Sequence, residues 1–286
     1  MTHYTVSTLN LGRFETESGE IIDPLQLRYE HVGYPGQPLV VICHALTGNH
    51  LTYGTDQEPG WWREIIDGGY LPINDYQFLT FNVIGSPFGS SSKLTDDHFP
   101  DHLTIRDIVR AIELGIEALG FTHINILIGG SLGGMQALEL LYNRSFTVDK
   151  AVILAATDHT SSYSRAFNEI ARQAIYLGGK EGLSIARQLG FLTYRSSKSY
   201  DERFTPDEVV SYQKYQGDKF KESFDLVCYL TLLDVLDSHH IDRGRTDVDQ
   251  VFRSLDTKVL TIGFIDDLLY PDDQVYRTGA RLSLIH

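Results

Sequence analysis

The sequence predicts an α/β fold with a mostly parallel central sheet flanked by helices. Two patterns in the 286-residue chain carry this prediction. Short runs of apolar residues without polar alternation are typical of parallel strands that are buried on both faces. Segments with apolar residues at every third or fourth position lie between these runs, and strands that alternate with helices indicate an α/β sheet.

Six strands are predicted in chain order. They cover residues 25–32, 38–44, 76–83, 124–128, 151–154 and 259–264. The clearest helix covers residues 105–119, where the apolar side chains fall on one face. Thr104 and Asp107 resemble a capping pair at its start, and Gly120 is placed to end it.

The pattern changes in the second half of the chain. From about residue 158 to about residue 249 no strand-like run occurs, and helical periodicity covers 163–177, 180–189, 206–223 and 226–237. Because a strand pattern then returns, we expect a helical cap inserted between two strands of one core. The predicted division is residues 1–157 for the first part of the core, 158–249 for the cap and 250–286 for the second part.

Charge and composition exclude several classes of function. Acidic residues outnumber basic ones by 38 to 24, and the formal net charge of −14 opposes binding to nucleic acid or to an anionic membrane surface. No apolar run approaches the ~18 residues that span a bilayer, and the first residues lack the pattern of a secretion signal. Cys43 and Cys228 lie in apolar patterns, so we expect two buried thiols in a cytoplasmic protein.

The segment 126–135 predicts a nucleophilic serine. It contains Gly-x-Ser-x-Gly with Gly129, Ser131 and Gly133 at the fixed positions, between an apolar run and a predicted helix at 135–141. A sharp strand-to-helix turn holds such a serine in a strained conformation, and the small neighbours avoid the clashes that a Cβ atom would cause. The helix N-terminus then favours negative charge that develops beside the hydroxyl.

An oxyanion hole requires two N–H donors near that serine. One should come from the residue after the nucleophile, which is Leu132, and the other from the loop after an earlier strand. The buried run 40–43 is followed by a turn, so we expect the N–H group of Leu46 to be the second donor.

The acid of a catalytic triad should follow the serine, at the end of a late strand. The predicted strand 259–264 is followed by Asp266 and Asp267, and strand periodicity alone does not choose between them.

Three other polar clusters are expected to carry no chemistry. The Asp- and His-rich loop at 96–102 matches no zinc or calcium spacing, so no metal site is predicted. His239 and His240 should form a polar helix end, and the tyrosines within 194–215 should pack inside the cap.

Several segments spread over nearly the whole chain add a more specific signal. They are His-Ala-Leu-Thr-Gly at 44–48, Gly-Trp-Trp at 60–62, Gly-Gly-Ser-Leu-Gly-Gly-Met-Gln-Ala at 129–137, Gly-Leu-Ser-Ile-Ala-Arg at 182–187 with Leu-Thr-Tyr-Arg at 192–195, and Asp-Leu-Leu-Tyr-Pro at 267–271. Together they resemble the homoserine O-acetyltransferase family, which implies an α/β-hydrolase fold with a helical cap.

The resemblance also implies a reaction. Family members move the acetyl group of acetyl-CoA, a co-substrate, to the hydroxyl of L-homoserine in methionine biosynthesis, through an acyl-serine and without a bound cofactor. By resemblance Asp267 is the catalytic acid, Arg187 binds the homoserine carboxylate, and Tyr229 lies near the active site or packs in the core. A homodimer is implied as well.

The catalytic histidine does not follow the family pattern. The family carries it in a Gly-His-Asp motif about thirty residues after the acid, whereas 19 residues follow Asp267 here and His286 is the one histidine among them. Beyond about residue 275 the resemblance ends, so we expect a C-terminally truncated chain with impaired activity. The alternatives are an esterase or thioesterase, a homoserine O-succinyltransferase, a serine O-acetyltransferase, or an inactive remnant.

Overall fold

A central sheet of seven strands organises the chain. The computed structural model describes residues 3–282. The strands of the main sheet follow the order β1 (His3–Asn10), β4 (Gln26–Gly33), β6 (Gln77–Phe81), β5 (Leu39–Cys43), β7 (His123–Gly130), β8 (Thr147–Leu154) and β9 (Lys258–Ile262). β4 pairs antiparallel with both of its neighbours, and the strands from β6 to β9 are parallel. A small hairpin, β2 (Phe14–Glu15) with β3 (Ile21–Ile22), lies apart from the sheet.

All six predicted strands are confirmed, with ends that shift by a few residues. β1 and the hairpin were not predicted. β1 is an edge strand that pairs only with β4 and is buried nowhere along its length. Because neither face is covered, its sequence alternates polar and apolar residues too weakly to signal a strand.

Ten helices are described between residues 3 and 282. Five of them follow β8 and precede β9 in the chain, and they pack together as one layer. The helices outside this layer are α1 (Arg63–Asp67), α2 (Ile105–Ala118), α3 (Leu132–Asn143), α9 (Val248–Arg253) and α10 (Asp272–Leu282). The layer consists of α4 (Ser162–Gly178), α5 (Lys180–Thr193), α6 (Ser197–Arg203), α7 (Pro206–Ser223) and α8 (Leu226–Ser238), and we call it the helical cap. α9 packs against α3 and α10 rather than against the cap.

Local signals fix several helix ends. The capping box of Thr104 and Asp107 is present at the start of α2, and Gly120 follows the helix with a φ of 82°. Inside the cap, a Cβ atom at Gly182 would lie 1.9 Å from the carbonyl oxygen of Ala174, so glycine allows α5 to cross closely over α4.

The core lies on both faces of the sheet. β5 is buried at all five positions, and β7 beside it is buried through most of its length. Cys43 and Cys228 are buried free thiols, as predicted. Among residues 3–282, none of the helices combines the length and apolar character needed to cross a bilayer.

Candidate active site

The turn between β7 and α3 is a nucleophile elbow. Ser131 has φ 54° and ψ −122°, a strained conformation that a non-glycine residue rarely adopts. A Cβ atom at Gly129 would lie 2.0 Å from the carbonyl oxygen of Gly133, and one at Gly133 would lie 2.0 Å from that of Cys43. At Gly130 the nearest atom would be 3.6 Å away, an ordinary contact. Close backbone approach therefore requires glycine at both of the fixed positions that the motif predicts.

The two expected oxyanion donors have free N–H groups. Leu132 is the first residue of α3, and Leu46 lies in the loop after β5 and lines the same cavity as Ser131. Neither N–H group donates a hydrogen bond to any of residues 3–282. Unpaired donors at a helix N-terminus and in an adjacent loop suit an oxygen that gains negative charge.

A buried histidine supports the loop that carries Leu46. His44 is fully buried, and its Nδ1 lies 2.8 Å from the carbonyl oxygen of Ala45. Its Nε2 accepts a hydrogen bond of 3.0 Å from the backbone N–H of Val83, so the proton of the neutral ring is on Nδ1. Burial lowers the pKa of His44 to about 4. His44 is therefore a neutral structural group with both nitrogens engaged, not a base for Ser131.

A glutamine joins the two segments that carry the expected oxyanion donors, and sequence reasoning missed it. Gln136 is fully buried in α3, and its Nε2 donates to the carbonyl oxygens of His44 at 3.1 Å and Leu132 at 3.2 Å. One amide thus links the loop after β5 to the first turn of α3. A polar residue in a helix whose other positions are nearly all apolar was the available signal.

The turn after β9 separates the two candidate acids. Asp267 is half-buried, and its Oδ1 accepts hydrogen bonds from the N–H groups of Leu269 at 2.9 Å and Tyr270 at 3.0 Å. Burial raises the pKa of Asp267 above its usual range although these bonds favour the charged form. Asp266 is exposed and has a φ of 64°, so it turns the chain and its carboxylate faces solvent.

A tyrosine contacts Ser131 directly, and the sequence did not identify it. The phenol oxygen of Tyr270 lies 3.0 Å from Ser131 Oγ, and the side chain is buried. Burial raises the pKa of Tyr270 well above its usual value, so the phenol stays protonated at neutral pH. The only sequence signal was its place in the Asp-Leu-Leu-Tyr-Pro segment at 267–271.

A cavity of about 610 Å³, including its open mouth, lies over Ser131 between the core and the helical cap. Leu46, Met135 and Tyr270 line it from the core, and Tyr194 and Tyr229 line it from the cap. None of the described lining side chains is charged. The cap therefore encloses a largely apolar space above the serine hydroxyl.

Arg187 lies beside this cavity with its charge unpaired. Its guanidinium is stacked between the rings of Phe191 and Phe220, at 4.6 and 4.7 Å from their centroids, and lies 3.5 Å from Thr47 Oγ1. No carboxylate among residues 3–282 forms a salt bridge with it. The ring of Phe220 also contacts that of Tyr229, with 5.6 Å between the centroids, so Tyr229 lies near Arg187. An arginine held by aromatic rings and free of a carboxylate is available to an anionic ligand.

The base remains unassigned among residues 3–282, because no histidine there hydrogen-bonds to Ser131. Burial lowers the pKa of His50 and His239 to about 4. His239 is not the polar helix end that we predicted: it is buried, and its Nε2 lies 2.8 Å from the carbonyl oxygen of Thr157. His286 lies outside the described residues.

In the loop at 96–102, as elsewhere in the described chain, no group of three potential ligands could hold a metal ion.

Comparisons with known proteins identify the family of this chain. Residues 38–222 match the family described as alpha/beta hydrolase fold. The homoserine O-acetyltransferase of Carboxydothermus hydrogenoformans is 33% identical over 304 aligned residues, which cover 90% of this chain and 80% of that protein. The crystal structure of the Staphylococcus aureus homoserine O-acetyltransferase is 82% identical, with a TM-score of 0.95 over 98% of this chain and 85% of that one.

More distant structures share the fold alone. Esterase E22 is 18% identical with a TM-score of 0.83, covering 99% of this chain and 90% of that one. An acetylester hydrolase from Corynebacterium glutamicum is 19% identical with a TM-score of 0.84, covering 97% and 85%. The match over most of the chain, together with the elbow and the helical cap, is decisive: this chain belongs to the homoserine O-acetyltransferase family of the α/β-hydrolase fold.

Proposed function

We propose that the chain transfers an acetyl group from acetyl-CoA to the hydroxyl of L-homoserine through an acetyl-Ser131 intermediate. The observation that carries the proposal is the strained Ser131 at the floor of a cavity that the helical cap closes, next to two free N–H donors. The names of the relatives support the same reaction.

The first half-reaction forms an ester on the serine. Ser131 Oγ attacks the thioester carbonyl while a base takes its proton, and the N–H groups of Leu46 and Leu132 hold the oxyanion. The carbon–sulfur bond then breaks, and CoA leaves as the thiol with that proton. In the second half-reaction the base takes the proton of the homoserine hydroxyl, the hydroxyl oxygen attacks the ester carbonyl, and the bond from the acyl carbon to Oγ breaks. The base then gives that proton to Ser131 Oγ as O-acetylhomoserine forms.

The acceptor is recognised through its charges. Arg187 pairs with the carboxylate of homoserine, because its planar guanidinium can bond both oxygens and no carboxylate among the described residues neutralises it. The names of the relatives favour an acetyl donor over a succinyl donor.

An esterase is the second candidate, because esterase E22 and an acetylester hydrolase share this fold with TM-scores of 0.83 and 0.84. The test incubates the purified protein with acetyl-CoA and L-homoserine and measures O-acetylhomoserine and free acetate. We expect O-acetylhomoserine in large excess, because the enclosed cavity limits access of water to the ester. Free acetate in excess would contradict transfer and support the esterase.

We also infer that the 286-residue polypeptide is a slow catalyst, because none of the histidines among residues 3–282 hydrogen-bonds to Ser131 Oγ. Loss of one triad member leaves the contribution of the oxyanion hole and of binding, so a version extended by a Gly-His-Asp tail should be faster by at least about 10³. Side-by-side turnover numbers test this. Equal turnover would assign the base to His286 or to another histidine of the chain.

A further inference from the structure

The hydrogen bond between Tyr270 and Ser131 is not part of the Ser-acid-His chemistry described above. The two oxygens lie 3.0 Å apart, and the tyrosine side chain is 7% exposed. Two hydrogen bonds hold the backbone that carries this ring. The backbone N–H of Tyr270 donates to Asp267 Oδ1 at 3.0 Å, and the hydroxyl of Ser164 in α4 donates to the carbonyl oxygen of Leu269 at 2.9 Å.

The state of the phenol decides what this bond does. Burial raises the pKa of Tyr270, so the group keeps its proton through the neutral range and does not act as a base. A neutral phenol beside an oxygen that gains negative charge donates its hydrogen, since a hydrogen bond to a charged partner is stronger than one to a neutral partner. Ser131 Oγ gains such charge whenever the bond between it and the acyl carbon breaks.

We propose that Tyr270 is a catalytic residue of the second half-reaction, in which its O–H group donates to Ser131 Oγ and stabilises that oxygen as the leaving group. The inference rests on the proposed function. The homoserine oxygen bonds to the acyl carbon, the bond from that carbon to Oγ breaks, and the electron pair goes to Oγ. The base that deprotonates the homoserine hydroxyl returns the proton to Oγ, and Tyr270 keeps its own proton throughout.

The same bond also acts on the first half-reaction, because attack of Ser131 Oγ on the thioester is the reverse of its departure from an acyl carbon. The donor stabilises the charge that Oγ gains as the base takes its proton, but it also makes this oxygen a weaker nucleophile, which offsets part of the gain. Removal of the phenol hydroxyl should therefore slow deacylation by a larger factor than acylation. A residue that merely positioned Ser131 would slow both steps by the same factor.

The experiment compares the full chain with Tyr270→Phe and with the control Tyr142→Phe. Tyr142→Phe also removes a hydrogen bond, the one from the Tyr142 hydroxyl to Asp247 at 2.8 Å, but Tyr142 does not line the cavity. The burst of p-nitrophenolate from p-nitrophenyl acetate gives the acylation rate. Intact-protein mass spectrometry, recorded after addition of L-homoserine, gives the rate at which acetyl-Ser131 disappears.

We expect Tyr270→Phe to slow the disappearance of acetyl-Ser131 by about 10-fold to 100-fold, the value of one hydrogen bond to a group that gains charge. Acylation should fall by a clearly smaller factor, and Tyr142→Phe should resemble the parent in both steps. Unchanged deacylation, or an equal loss in both steps, would overturn the proposal.

Two further measurements keep the test decisive. Thermal unfolding shows whether Tyr270→Phe is folded. If it is not, 3-fluorotyrosine is introduced at position 270, because it keeps the shape of the side chain and makes the phenol a stronger hydrogen-bond donor. Deacylation should then be faster than in the parent. An unchanged or lower rate there contradicts the proposal. If the parent chain itself gives neither acetyl-Ser131 nor O-acetylhomoserine, the proposed function has failed rather than the role of Tyr270.

Discussion

Replacement of Arg187 by Met should weaken the use of homoserine far more than acylation by acetyl-CoA. The guanidinium is stacked between Phe191 and Phe220 at 4.6 and 4.7 Å and forms no salt bridge with residues 3–282, so its charge is free for a substrate. Truncation of a desolvated charge pair costs about 2–5 kcal/mol. At 1.36 kcal/mol per decade this corresponds to a loss of about 30-fold to 5,000-fold in kcat/KM for homoserine.

Arg187→Lys separates the charge from the shape of the group. Lysine keeps the charge but loses the planar fork and the stacking on both rings, so we expect an intermediate loss. Each cation–π contact contributes about 0.5–1 kcal/mol at exposed sites, and both variants should therefore unfold at a slightly lower temperature than the parent. Arg203→Met is the matched control, because that guanidinium also stacks on an aromatic ring of the cap, at 5.4 Å from the centroid of Phe204.

The assay measures two rates on each variant: formation of the acetyl-enzyme from acetyl-CoA, and its loss as L-homoserine is varied. Arg187→Met should form the acetyl-enzyme at the parent rate and should require much more homoserine to discharge it. If Arg187→Met needs no more homoserine than the parent to discharge the acetyl-enzyme, Arg187 does not bind the homoserine carboxylate. The assignment is also refuted if acylation falls as much as deacylation, since Arg187 would then act only by holding the cap.

Three further outcomes are expected. Gly133→Ala should destabilise the fold by about 1–3 kcal/mol or more, because its Cβ atom would lie 2.0 Å from the carbonyl oxygen of Cys43 at the end of β5. Gly130→Ala should leave the stability nearly unchanged, because the nearest atom would be 3.6 Å away. Urea unfolding of both variants measures the difference. Gln136→Leu should lower kcat by about 10-fold to 100-fold with a small change in KM for acetyl-CoA, because it loosens the link between the oxyanion donors. Burial lowers the pKa of His44 and His239 to about 4, against about 6.5 in the unfolded chain. Protons therefore bind preferentially to the unfolded chain between these values, and the free energy of unfolding should fall as the pH drops from about 6.5 to about 4, which thermal unfolding across that range measures.

The elbow could be predicted because its causes are local. About a dozen residues contain all of its signals: an apolar strand, two glycines at fixed spacing and a following helix. The structure adds the reason for the glycine at 133, which is its close approach to Cys43. The strands that are buried on both faces were equally visible. β1 was not, because an exposed edge strand does not need an apolar face.

Tyr270 and the choice between Asp266 and Asp267 depend on tertiary structure. A tyrosine after two leucines has the appearance of an ordinary core residue, and only the packing of the turn after β9 brings its hydroxyl to Ser131. Strand periodicity does not separate adjacent carboxylates, because the chain leaves the strand and turns at Asp266 with a positive φ. His239 was misjudged for a similar reason, since its burial comes from contact with the segment that holds Thr157.

The central claim is that Ser131 carries the acetyl group between donor and acceptor. The most direct test mixes the purified chain with acetyl-CoA in the absence of an acceptor and maps the acetylated residue by peptide mass spectrometry. We expect one acetyl group on the peptide that contains Ser131, none in Ser131→Ala, and its loss on addition of L-homoserine with an equal yield of O-acetylhomoserine. An acetyl group on a different residue, or O-acetylhomoserine formed by Ser131→Ala at the parent rate, would contradict this claim.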